Sequence, residues 1–84
     1  MANHVPLAEK IRRRLDAGVL PRECPPKVWT RFGNRAPCAA CDQTIYAAQI
    51  MYEVDWNDTI YRFHAGCHGL WVGELIRRIL SEQE

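Results

Sequence analysis

The chain has 84 residues, 48% hydrophobic and 25% charged, and a formal net charge of +1. That length allows one domain with a thin core, in the size range where natural scaffolds lean on a metal or a disulfide. There is no repeat, no low-complexity tract and no apolar run long enough to span a bilayer, which argues against solenoid, disordered and membrane-spanning classes. The +1 hides a split. Residues 1–37 hold eight basic against three acidic residues, +5, while residues 38–84 hold three against seven, −4. Such asymmetry reads either as a basic arm for a polyanion or as one half of the chain docking on the other.

Residues 1–20 are expected to form an N-terminal helix. Leu7, Ala8, Ile11 and Leu15 make one apolar stripe, with Glu9, Lys10, Arg12, Arg13 and Asp16 elsewhere on the turn. Pro6 suits the first turn and Gly18 is placed to end the helix. The same residues lack the apolar stretch of a signal peptide, so the expected location is cytoplasmic. In that reducing setting cysteine pairs are metal ligands more often than disulfides. Arg12, Arg13 and Arg14 read most simply as the solvated face of this helix.

Residues 21–37 form a wrapped, Pro-rich segment with Pro21, Pro25, Pro26, Gly33 and Pro37. The prolines disfavour a continuous helix or a central strand. Trp29 and Phe32 are large and are read as packing residues, with the segment crossing the core.

In residues 38–84 a zinc knuckle, a β-hairpin and a C-terminal helix follow. Ile50–Trp56 and Thr59–His64 flank Asn57-Asp58, a two-residue connection suited to a tight hairpin. Pairing outward sets Val54 opposite Tyr61, Tyr52 opposite Phe63, Glu53 opposite Arg62 and Met51 opposite His64. One face is then aromatic and β-branched, and the other carries a charge pair. A helix opening near Cys67 carries Leu70, Trp71, Val72, Leu75, Ile76, Ile79 and Leu80. So wide an apolar arc suggests cover from the hairpin on one side and from the N-terminal helix on the other. Arg77 and Arg78 are read as complementing the dipole at its end. The predicted class is α+β, a single zinc-stapled domain over residues 1–84.

The chemistry is concentrated in Cys38-Ala-Ala-Cys41 and His64-Ala-Gly-Cys67, separated by 22 residues. Zinc prefers four tetrahedral N/S ligands, and a two-residue gap lets both members of a pair turn onto one ion. A disulfide or plain buried cysteines would not explain a histidine in the third position. With four protein ligands no position is open to water, so one structural Zn2+ is expected. With that ion and three thiolates the metal-bound protein is neutral overall. Cys24 stands alone and reads as an ordinary thiol. His68 competes with His64 but lacks the H-x2-C spacing, and His4 reads as inert.

Enzymatic patterns fail in turn. Pro37-Cys38-x2-Cys41 matches half of a nucleobase deaminase signature, but the H-x-E half is absent. Asp42 follows Cys41, so c-type haem attachment fails, and no βαβ context supports a thioredoxin-type pair. A non-enzymatic module is the expectation.

Cys38-x2-Cys41-x3-Ile45, the hydrophobic strand around Val54, and Tyr61-Arg62-Phe63-His64-x2-Cys67 opening a helix together resemble the poly(ADP-ribose) polymerase-type zinc finger. They also resemble the first half of a LIM domain, whose spacing between pairs is closer. The likeness covers about residues 36–72 and extends to short bacterial proteins with C-x2-C…F-H-x2-C-x3-W. The polymerase finger usually has a longer insertion between its pairs, part of which contacts DNA ends. A LIM domain continues into a second four-ligand module where this chain continues as helix. The resemblance implies a small zinc module with nucleic acid or a protein as its partner. For nucleic acid, Lys10, Arg12, Arg13, Arg14, Arg31 and Arg35 would contact phosphates and Trp29 or Phe32 would stack on a base. For a protein, the aromatic hairpin or the helix would be the docking surface. The arginine cluster tips this reading toward nucleic acid.

Overall fold

Leu7–Asp16 forms α1, a ten-residue helix that buries Ile11 and Leu15. Pro6 sits at its N-cap, and Gly18 takes φ +76 just past its end, a conformation a side chain would oppose. The computed structural model describes residues 5–25 and 27–82, so His4 and Pro26 lie outside the described residues. The remaining elements are β1 (Val28–Phe32), β2 (Ile50–Trp56), β3 (Thr59–His64) and α2 (Ala65–Glu82).

The expected hairpin is present, with each predicted pair in register from Met51↔His64 to Val54↔Tyr61. Asn57 and Asp58 both have positive φ, 50 and 62, as a two-residue turn matching the right-handed twist of the strands requires. The hairpin is two-thirds of a sheet. Val28–Phe32 adds a third antiparallel strand, Val28↔Val54 through Phe32↔Ile50, in the order β1-β2-β3. The prolines of the 21–37 segment do end regular structure, but between Pro25 and Pro37 they leave room for an edge strand of five residues.

Trp29 and Phe32 are therefore not the buried packing residues expected. Directly paired residues share a sheet face, so Val28, Thr30 and Phe32 lie on the face of Val54 and Tyr52. That face receives α2, whose His68 stacks on Tyr52 and whose Trp71 stacks on Phe63. Yet α2 packs on β2, β3 and α1 and does not reach β1. Phe32 is left 69% exposed and Val28 41%, and Trp29, on the opposite face, is 39% exposed.

The core lies between α1, α2 and the inner face of β2–β3. Ile11, Leu15, Leu20, Val54, Phe63, Trp71 and Leu75 are all buried there. The Trp71 indole N–H donates to the Pro21 carbonyl at 3.0 Å, tying the turn after α1 to the middle of α2. The wide apolar arc of α2 is only partly covered, because Leu70, Ile76, Ile79 and Leu80 are exposed. Arg77 and Arg78 do not sit at the helix end, since α2 runs on to Glu82. They pair instead with buried Glu74, and Arg78 crosses to Asp16 of α1 at 2.9 Å.

Candidate metal centre

Two short loops bring four donors together. Between β1 and β2 the chain turns back on itself. Pro37 bridges Thr44, the Cys38 amide donates to the Gln43 carbonyl at 2.9 Å, and the Asp42 amide returns to the Cys38 carbonyl at 2.9 Å. Asp42 takes φ 68 to close this knuckle. A further amide, Ala39, donates to the Arg62 carbonyl on β3 at 2.7 Å, which sets the knuckle beside the strand that ends in His64. Cys67 follows in the first turn of α2.

The ligand atoms of Cys38, Cys41, His64 and Cys67 all lie within 4.8 Å of one another. A tetrahedral ion with metal–sulfur bonds of ~2.3 Å and a metal–nitrogen bond of ~2.0 Å needs N···S edges of about 3.5 Å. The His64 Nδ1 stands 3.4 Å from Cys41 Sγ and 3.9 Å from Cys67 Sγ, bracketing that value. The histidine is oriented for the task. Its Nε2–H donates to the Thr44 carbonyl at 3.1 Å, and a carbonyl only accepts, so Nδ1 is left as the lone-pair nitrogen facing the thiols. Thr44 belongs to the same knuckle as the first two cysteines.

The sulfurs are prepared as a group. The Ala40 amide donates to Cys38 Sγ at 3.4 Å. A hydrogen bond from the Cys67 thiol pulls Cys38 down to about 4, and the same contact pushes Cys67 above its ordinary value. Burial raises Cys41. A divalent cation would neutralise the thiolates that these three cysteines can supply. Donor type, spacing and histidine tautomer all fit one metal ion.

The other candidates fall elsewhere. His68 packs against Tyr52, with ring centroids 4.3 Å apart, and its buried Nε2 has no hydrogen-bond partner among the described residues. Cys24 is exposed and stands apart from the cluster. The basic and aromatic residues considered for nucleic acid are not gathered as one set of free cations. Lys10 and Arg14 reach across to Asp42 in the knuckle, Arg13 pairs with Glu9, and Arg31 pairs with Glu53. Arg12 and Arg35 form no ion pair among the described residues, and Trp29 and Phe32 point to opposite faces of the sheet. Sequence reasoning missed Thr44 and Asp42. The signal for Asp42 was its place after the second cysteine, where an Asp tolerates left-handed backbone. Thr44 acts through its carbonyl, so its side chain gave no sign.

No family model matches the chain, and neither does any curated protein or solved structure.

Proposed function

We propose that this chain is a non-enzymatic module built on one structural zinc ion, and that it works as an adaptor gripping a partner protein through the sheet edge at β1. Zinc is favoured because three thiolates and one imidazole form its preferred tetrahedral set, and four protein donors leave no position for a reacting water. The docking reading rests on one observation. β1 is an edge strand whose five side chains are all exposed and whose inner face α2 leaves uncovered, so Val28 and Phe32, with Ile50 beside them, meet solvent next to the part of that face that α2 covers. An exposed apolar patch with an aromatic member marks a site of interaction with another protein. The nucleic-acid reading is weakened by the ion pairs that occupy Lys10, Arg13, Arg14 and Arg31.

Zinc-loaded protein carrying Phe32→Asp tests the adaptor. The substitution lies on an exposed position, so zinc content and melting are expected to hold while capture of the partner bound by the parent chain is lost. A partner retained by this variant would move the docking surface off β1. Retention of the parent protein on duplex DNA at low salt, falling steeply as salt rises and lost on Arg12→Glu with Arg35→Glu, would instead favour nucleic acid.

A further inference from the structure

We propose that Arg14 and Lys10 of α1 are positioning residues for the metal centre, a cationic clamp that holds the Cys38–Asp42 knuckle in its ligating shape and offsets the negative charge of its thiolates. The inference rests on the metal-binding reading above and adds to it a role for the N-terminal helix.

The clamp is made of contacts far apart in sequence. Arg14 Nη1 donates to the Ala39 carbonyl at 2.7 Å and to Asp42 Oδ1 at 2.9 Å, while its Nη2 engages Asp42 Oδ2. Lys10 Nζ donates to the Cys41 carbonyl at 3.3 Å and lies 3.0 Å from Asp42 Oδ2. Two cations thus hold two backbone carbonyls between or at the first ligands, together with the one carboxylate of the turn. The fork on Asp42 matters because that residue sits at φ 68, a conformation that costs a non-glycine residue free energy unless its surroundings impose it. Lys10 and Arg14 occupy one face of α1, four residues apart, so both depend on the helix being docked.

Charge points the same way. Three thiolates and an imidazole around a divalent cation carry −1, and Asp42 adds another negative charge beside Cys41. Cations placed beside the knuckle offset that negative charge. Arg14 and Lys10 are the basic groups the structure sets against it. Their carbonyl contacts also orient peptide dipoles in the loop that carries Cys41, as outer-shell partners do in other metal sites. The cleft between α1 and the knuckle, about 680 Å³, is lined by Leu7, Lys10, Arg13, Arg14, Cys41 and Gln43. Cys38 and Cys67 are buried and Cys41 is half-buried, so Cys41 is the ligand that a reagent entering the cleft reaches first.

The test compares Arg14→Gln with Arg14→Lys and with Arg78→Gln, a control that loosens α1 from α2 through the Asp16 contact without touching the knuckle. Zinc affinity is measured by chelator competition, and the rate of Cys41 alkylation by iodoacetamide in zinc-loaded protein is mapped by mass spectrometry. Arg14→Gln is expected to weaken zinc binding on the order of 10-fold or more, the range found for outer-shell partners. It should also speed alkylation of Cys41, because a less compensated thiolate is more nucleophilic. Arg14→Lys should recover part of both effects, and Arg78→Gln should lower melting while leaving the alkylation rate unchanged. If Arg14→Gln and Arg78→Gln shift affinity in proportion to melting and neither alters Cys41 alkylation, the clamp is only a packing contact and the proposal fails. Parent protein that takes up no zinc would overturn both the metal reading and the clamp. Parent protein that binds one zinc, with variants indifferent to Arg14, would overturn the clamp alone.

Discussion

At the scale of single residues, the two histidines beside Cys67 have opposite roles despite lying four positions apart. His64 presents Nδ1 to the thiols because Thr44 takes its other nitrogen, whereas His68 turns its ring onto Tyr52, Phe63 and Trp71. Replacing His64 by Ala should abolish metal uptake and with it the folded circular-dichroism signal. Replacing His68 by Ala should leave one metal per chain but cost about 1–2 kcal/mol of lost aromatic packing, read as a lower melting temperature. His68→Phe keeps the stack and removes a buried nitrogen that has no partner among the described residues, so it should melt at or above the parent. Metal release by His68→Ala would reverse the ligand assignment. Gly33 is a second decisive position. A Cβ there would lie 2.1 Å from the Tyr46 carbonyl oxygen and 2.7 Å from that of Ile45, both backbone atoms. Gly33→Ala should therefore destabilise the domain by about 1–3 kcal/mol, as overpacking does, by forcing the end of β1 away from the backbone that leaves the knuckle at Ile45 and Tyr46. An unchanged denaturation midpoint would mean the chain relaxes there freely.

At the scale of elements, the hairpin register was readable because a side-chain period of two leaves one pairing that gathers Val54, Tyr61, Tyr52 and Phe63 on one face. The four donors that cluster were readable from spacing alone, and α1 from the Leu7, Ile11, Leu15 stripe with its flanking Pro6 and Gly18. β1 was not. Val28–Phe32 has no alternation of buried and exposed positions because α2 never covers it, so the pattern that marks a half-buried strand does not arise. Trp29 and Phe32 misled for the same reason, since size suggests burial only when a layer exists to bury against. In the sequence Arg14 reads as a solvent-facing or phosphate-contacting arginine; its target, Asp42, lies 28 residues away and shows only in the fold. The Glu74 network was likewise invisible, although Glu74 lies three and four residues before its arginine partners.

At the scale of the whole molecule, stability at acid pH should separate into two windows. Hydrogen bonds from Arg77, then Arg78, hold Glu74 down to about 2 from its ordinary 4.5. A depressed carboxylate adds stability above its unfolded value, lost as pH falls from 4.5 toward 2. Thiolates bound to a metal would be held ionised from a much higher ordinary value, so protons would begin to compete for them well above that window. Unfolding in mildly acidic solution should therefore follow metal release, and Glu74→Gln, which removes stability already complete in that window, should move the midpoint only slightly and to higher pH without uncoupling it from metal release. Exchanging zinc for the softer cadmium should carry the midpoint to lower pH, followed by the cadmium–thiolate absorbance together with circular dichroism. A midpoint that shifts with Glu74 and not with the metal would contradict this. The placement of the ligand pairs has one more result. Cys38 and Cys41 precede the Asn57–Asp58 turn, and His64 and Cys67 follow it, so an ion held by the four would close a ring whose exposed tip is that turn. Cutting the chain there would leave two pieces, each with half of a coordination sphere and one strand of the hairpin. The ion then becomes the bond between two separate molecules, and residues 1–57 and 58–84 made apart should assemble only when zinc is added.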